Sequence, residues 1–77
     1  MSLSISDLEV GSNGKIVGYA EGAKTYMEKL LAMGLTKGSE FTVTRVAPLG
    51  DPVEINLRGY NLTLRKTECD VLRVERS

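Results

Sequence analysis

The chain contains no histidine. That removes the most common acid–base group and the most common transition-metal ligand. It contains one cysteine, Cys69, so no internal disulfide forms and a zinc site of the usual Cys/His type is not available. A single unpaired cysteine fits a reducing compartment, and the expected location is cytoplasmic. No apolar run approaches the ~18 residues of a membrane helix, so no direct membrane insertion is expected. Residues 1–7 lack the basic and apolar regions of a secretory leader. There is no excess of either charge: ten Lys and Arg balance ten Asp and Glu. Binding to phosphate backbones draws on a basic excess, so nucleic acid is not an expected partner. Neither internal repeats nor low-complexity segments are present, and residues 1–77 read as a single domain.

Catalytic chemistry finds no support. The segment Gly11-Ser12-Asn13-Gly14 has two glycines but lacks the Lys-Ser/Thr ending of a phosphate loop, and reads as a strand-entry turn. The carboxylates Asp51, Glu54, Glu68 and Asp70 follow no cation-loop spacing and read as solvated surface charge. Cys69 reads as a small buried hydrophobe. No enzyme activity, cofactor or metal site is expected.

What is present is a pattern of short strands around one helix. Ser6 is the expected cap of a short turn near the N-terminus. Residues 15–19, with Ile16, Val17 and Tyr19, form the first expected strand. Residues 23–33 read as a helix with Ala23, Met27, Leu30 and Leu31 at helical spacing, stopped by Gly34, with Leu35 packing back. Leu30 and Leu31 are assigned to the core, while Met27 and Met33 suit either the core or a partner groove. From Thr36 the period changes to two. Phe41, Val43 and Arg45 are expected on one face, and Thr42, Thr44 and Val46 on the other. Pro48-Leu49-Gly50-Asp51-Pro52 reads as a rigid loop. Val53, Ile55 and Leu57 alternate with polar residues. Arg58-Gly59 is the expected hairpin turn, Leu62 and Leu64 come next in the returning strand, residues 66–70 make a helical turn, and Leu72 and Val74 begin a last strand. The fold class is mostly β: a small barrel or curled sheet of about five strands, with the helix after the first strand.

At Met33-Gly34-Leu35-Thr36-Lys37-Gly38 and Ala47-Pro48-Leu49-Gly50-Asp51-Pro52 the chain resembles the FeoA family. The resemblance continues through Leu57-Arg58-Gly59-Tyr60, Leu62-Thr63-Leu64-Arg65-Lys66 and Leu72-Arg73-Val74, covering about residues 8–75. It implies an SH3-like β-barrel and a cytoplasmic accessory role in ferrous iron uptake. The implied partner is FeoB, a membrane ferrous iron permease with a cytosolic GTPase domain. Two departures stand out: Thr25-Tyr26-Met27-Glu28-Lys29 replaces a stretch that often carries arginines, and Cys69 stands where alanine is common. On this reading a rigid loop over residues 48–52 lies beside the Arg58-Gly59-Tyr60 turn, and Leu49, Gly50, Asp51, Arg58, Tyr60 and Met27 are the candidate partner-binding residues. The plainer reading has glycine and proline shaping a barrel corner, with Arg58 solvated. Two alternatives are a detached SH3-like regulatory domain of an iron-dependent transcriptional repressor and a weak metal-binding protein.

Overall fold

A computed structural model describes residues 3–77; Met1 and Ser2, the start of the segment read for a leader, lie outside the described residues. A 3-10 turn over Ile5–Asp7 opens the chain. It is followed by β1 (Asn13–Tyr19), a 3-10 turn over Ala23–Thr25, α1 (Met27–Ala32), β2 (Glu40–Val46), β3 (Val53–Leu57), β4 (Tyr60–Leu64), α2 (Lys66–Asp70) and β5 (Leu72–Arg76). The strands form one antiparallel sheet in the order β4-β3-β2-β1-β5. This is the expected mostly-β, SH3-like arrangement of five strands. The sheet is not closed: β4 and β5 are its two edges.

Period-two burial places the core. Val53, Ile55 and Leu57 of β3, Leu64 of β4, and Leu72 and Val74 of β5 are buried, joined by Ile16, Phe41 and Val43 from the other strands. Gly14 pairs with Phe41 across β1 and β2, and a Cβ there would stand 2.5 Å from the Phe41 ring. The glycine therefore gives Phe41, the one buried aromatic side chain among the described residues, its room.

Three local expectations are corrected. The N-terminal turn is capped by Ser4, not Ser6; the Ser4 N–H donates to Asp7 Oδ2 at 2.9 Å, a reciprocal cap of the Ser-x-x-acid kind. Residues 23–33 are not one continuous helix: a 3-10 turn hands over to a six-residue α-helix at Tyr26. That short helix keeps Leu30 buried but leaves Leu31 48% exposed, so Leu31 is not a core residue. In β2, a register shift between Val43 and Arg45 inserts one extra residue. Arg45 then lies outward and half-buried Val46 packs on the core, reversing their expected faces. A bulge that exposes an arginine and covers a valine is favoured over an uninterrupted ladder that does the opposite.

α1 ends in a double backbone closure. The Leu35 N–H donates to Leu30 O at 2.9 Å and the Gly34 N–H to Leu31 O at 3.0 Å. Gly34 supplies the left-handed conformation (φ +86°) this requires, and Leu30 and Leu35 are both fully buried beneath it. Tyr60 Oη donates to Met33 O at 3.1 Å and Tyr19 Oη to Leu35 O at 2.9 Å. The helix end is thus tied to both β4 and β1. Among the described residues no helix is long and apolar enough to cross a membrane.

α1 is also tied to α2 through Glu68, a carboxylate only 3% exposed. Its Oε1 accepts the Arg65 N–H at 2.8 Å, and Lys29 Nζ lies 2.6 Å from Oε2. Burial alone raises the Glu68 pKa. The Lys29 hydrogen bond, the Arg65 N–H and the positive charges of both side chains outweigh burial and hold it below its ordinary 4.5. A depressed folded-state pKa contributes stability that is present above the unfolded value and lost as pH falls through the folded value. Lys29→Met is therefore expected to lower stability near pH 7 by about 1–2 kcal/mol, a figure reduced for the solvent screening of a mostly exposed lysine. Urea unfolding well below pH 4.5, where Glu68 is neutral in both proteins, should show the difference vanish; a difference that persists there would assign it to packing instead.

Candidate functional site

The β2–β3 connection is built as a pinned turn. Ala47, Pro48, Leu49 and Gly50 occupy its four positions, closed by a 2.7 Å bond from the Gly50 N–H to Ala47 O. Proline suits the second position of such a turn and glycine the fourth. A further bond from the Ala47 N–H to Pro52 O, 3.1 Å, closes the loop base. Asp51 Oδ1 accepts the Lys66 N–H at 3.0 Å, which fixes the loop against the first residue of α2. With its backbone held this way, Leu49 stands 95% exposed at the tip. An exposed apolar side chain on an ordered turn loses little conformational freedom when it docks.

Beside the tip is a groove of about 310 Å³ lined by Arg45, Ala47, Pro48, Pro52, Glu54 and Thr63. Sequence reasoning did not single out this lining. The usable signals were an arginine, Arg45, at a position that plain alternation puts on the core face, and the alternation in β4 that places Thr63 on the outer face opposite Glu54. Glu54 is held by the Thr44 hydroxyl at 3.1 Å.

The other candidates lie elsewhere. The loop over residues 47–52 and the Arg58-Gly59 turn, expected side by side, flank opposite ends of β3, about 13 Å apart at ~3.3 Å per residue. Leu49, Gly50 and Asp51 are together; Arg58 and Tyr60 are at the far end. Tyr60 is 45% exposed and its hydroxyl is already committed to Met33 O. Met27, half-buried, begins α1 at the end away from Tyr60. A hollow of about 440 Å³ beside Arg58 is lined by Asn13, Thr42 and Asn56 among others. Its amides already have partners: Asn13 Oδ1 accepts from the Thr42 hydroxyl at 2.7 Å, and Asn56 donates to Asn61 Oδ1 and accepts from the Gly59 N–H.

Cys69 is fully buried and its thiol is pushed up to about 12, by desolvation first and then by the carboxylates of Asp70, Glu68 and Asp51. A thiol so held stays protonated and unreactive at neutral pH. Among the described residues no group of three or more His, Cys, Asp or Glu side chains is arranged to hold a metal ion.

Arg58 has φ +54°, a left-handed conformation for a side chain that does not favour it. With Gly59 at +88° and Leu57 opposite Tyr60, the turn is of the two-residue type in which asparagine is preferred at the first position. Arg58→Asn is therefore expected to stabilise the fold by about 0.5–1 kcal/mol. A thermal melt that moves downward would show that the arginine is not strained there.

Comparison with known proteins agrees with the fold just described. The model of the FeoA domain matches residues 3–76. Over 73 residues, 95% of this chain, the sequence is 34% identical to a Fe(2+) transport protein A/Fe(2+) transporter FeoB fusion protein of Porphyromonas gingivalis, and spans 8% of its length. The NMR structure of a FeoA-like protein from Clostridium acetobutylicum is similar with a TM-score of 0.86 at 35% identity, covering 97% of this chain and 86% of that one. The crystal structure of T. acidophilum IdeR is similar at a TM-score of 0.87, covering 99% of this chain and 34% of that one. At 17% identity that likeness concerns the fold alone. With a family model matched over nearly its whole length and relatives above 30% identity, the chain belongs to the FeoA family.

Proposed function

We propose that this protein is a cytoplasmic accessory component of ferrous iron uptake that docks on the cytosolic part of a FeoB-type transporter through Leu49 and the groove beside it, and modulates the transporter without catalysing a step of its own. The observation that carries the reading is the Porphyromonas gingivalis relative, whose name joins a transport protein A and a FeoB transporter in one polypeptide. Covalent fusion raises the effective concentration of one module at the other, which is useful for modules that work in contact. The geometry supports the same reading: a backbone-pinned turn presents an apolar side chain, and the nearby groove has apolar walls in Ala47, Pro48 and Pro52. A repressor-derived regulatory domain has only a fold-level likeness in its favour.

The test is titration of the chain against the purified cytosolic GTPase domain of its cognate transporter, with nucleotide hydrolysis followed in parallel. Leu49→Asp, at a position that buries almost nothing in the fold, is expected to leave the melting temperature unchanged and to weaken binding at least about tenfold. Equal binding by the folded variant would remove this loop from the interface. A change in hydrolysis or nucleotide release on binding identifies a regulator of that cycle; binding without it identifies a role in assembly.

A further inference from the structure

The two edges of the sheet are finished differently. On β5, Val74 exchanges backbone bonds with Leu3, at 3.0 and 2.7 Å, so its outer side is covered there. On β4 the register places Leu57 opposite Tyr60 next to the two-residue turn, the pair that exchanges both bonds across the ladder. Alternation sends the backbone groups of Tyr60, Leu62 and Leu64 toward β3, and those of Asn61 and Thr63 away from it. Both residues are exposed, and among the described residues no backbone group meets their N–H or C=O.

We propose that an extended acidic segment of the partner adds to β4 as a sixth strand, with one of its apolar side chains seated in the groove beside Leu49. This deepens the docking reading above and rests on it for the identity of the partner. Charge argues for the occupant. From Ile55 to Thr67 the chain carries Arg58, Arg65 and Lys66 and no carboxylate. Lys66 is taken up by Asp70 at 3.2 Å, whereas Arg58 and Arg65, exposed at the two ends of β4, form no ion pair within 4.0 Å among the described residues, Arg65 acting on Glu68 only through its longer-range charge. A five-residue strand is about 17 Å long, so a peptide with a carboxylate near each end meets both guanidinium groups while its backbone bonds Asn61 and Thr63. The left-handed backbone of Arg58 is a second observation: an arginine stands where asparagine fits the turn better. Continuity is the third, because Thr63, whose amide faces the open edge, also lines the groove with Pro48 and Pro52. A second copy of this chain is a poor occupant. Antiparallel β4–β4 pairing would set Arg58 of one copy beside Arg65 of the other, and parallel pairing would stack each arginine on its twin. The same cations thus guard the edge against self-association.

The experiment follows backbone amides of the isotope-labelled chain by NMR at low salt during titration with two probes: the cognate transporter's cytosolic domain, and a capped Glu-Val-Thr-Val-Glu peptide. Saturable shifts and slowed hydrogen exchange at Asn61 and Thr63 are expected with both. Thr63→Pro should weaken binding at least about tenfold while keeping the fold, because that N–H faces the open edge and edge strands accept proline there. Should that variant unfold, Arg58→Glu with Arg65→Glu serves instead, with the same loss expected. If the domain binds but the two amides do not respond and the folded variant binds normally, the edge proposal is overturned while the docking reading stands. If the peptide engages the edge and the domain does not bind, the edge site holds and the assignment of the transporter falls. If neither probe moves these amides, the edge proposal is overturned.

Discussion

Five strands in the order β4-β3-β2-β1-β5 leave the two end strands unjoined, and a core enclosed by such a sheet has to be sealed by something other than a ladder. Here the seal is made by the two short helices together with the N-terminal 3-10 turn, whose Ile5 is fully buried. α2 carries the chain from one edge strand to the other. α1 is held to α2 by the Lys29–Glu68 pair and to the strands by the hydroxyls of Tyr19 and Tyr60. Neither helix is long enough to persist alone, so both depend on these ties. Gly34 is where the requirements meet: the closure of α1 needs its left-handed backbone, and the Tyr60 hydroxyl lies 2.7 Å from where a Cβ would be. The buried carboxylate, the glycine and the two tyrosines are parts of one solution to an unclosed sheet.

That solution leaves the tip of the β2–β3 loop free, although its base is tied to α2. The loop over residues 47–52 contributes no large side chain to the core, and its order comes from backbone bonds and Asp51. Its tip is therefore available for recognition without a conflict between folding and binding.

Much of this was legible in the residues. Strict alternation over Val53–Leu57, the Arg58-Gly59 pair and the Pro-Leu-Gly-Asp-Pro segment each carry their own geometry, and the family resemblance runs through the same segments. The misreadings have physical causes. A helical stripe read over residues 23–33 assumes a constant turn, but a 3-10 start changes the angular position of every later residue, and Leu31 swings out where Leu30 stays in. Alternation cannot see a bulge, although an arginine at a core-facing position was a signal that one was needed. Placing the loop and the turn side by side overlooks the single extended strand that joins them, and extension alone keeps the two ends of such a strand apart.

The bulge in β2 has a consequence for how this chain tolerates changes in length. Because one extra residue at Val43–Arg45 sets the parity of everything up to the loop, deleting it would exchange the inner and outer faces at Arg45 and Val46 and re-aim the loop after them. Residues added at the tip, beyond the bond between Ala47 and Pro52, leave that parity untouched. The tip can thus be lengthened or reshaped while the residue count a few positions upstream stays fixed.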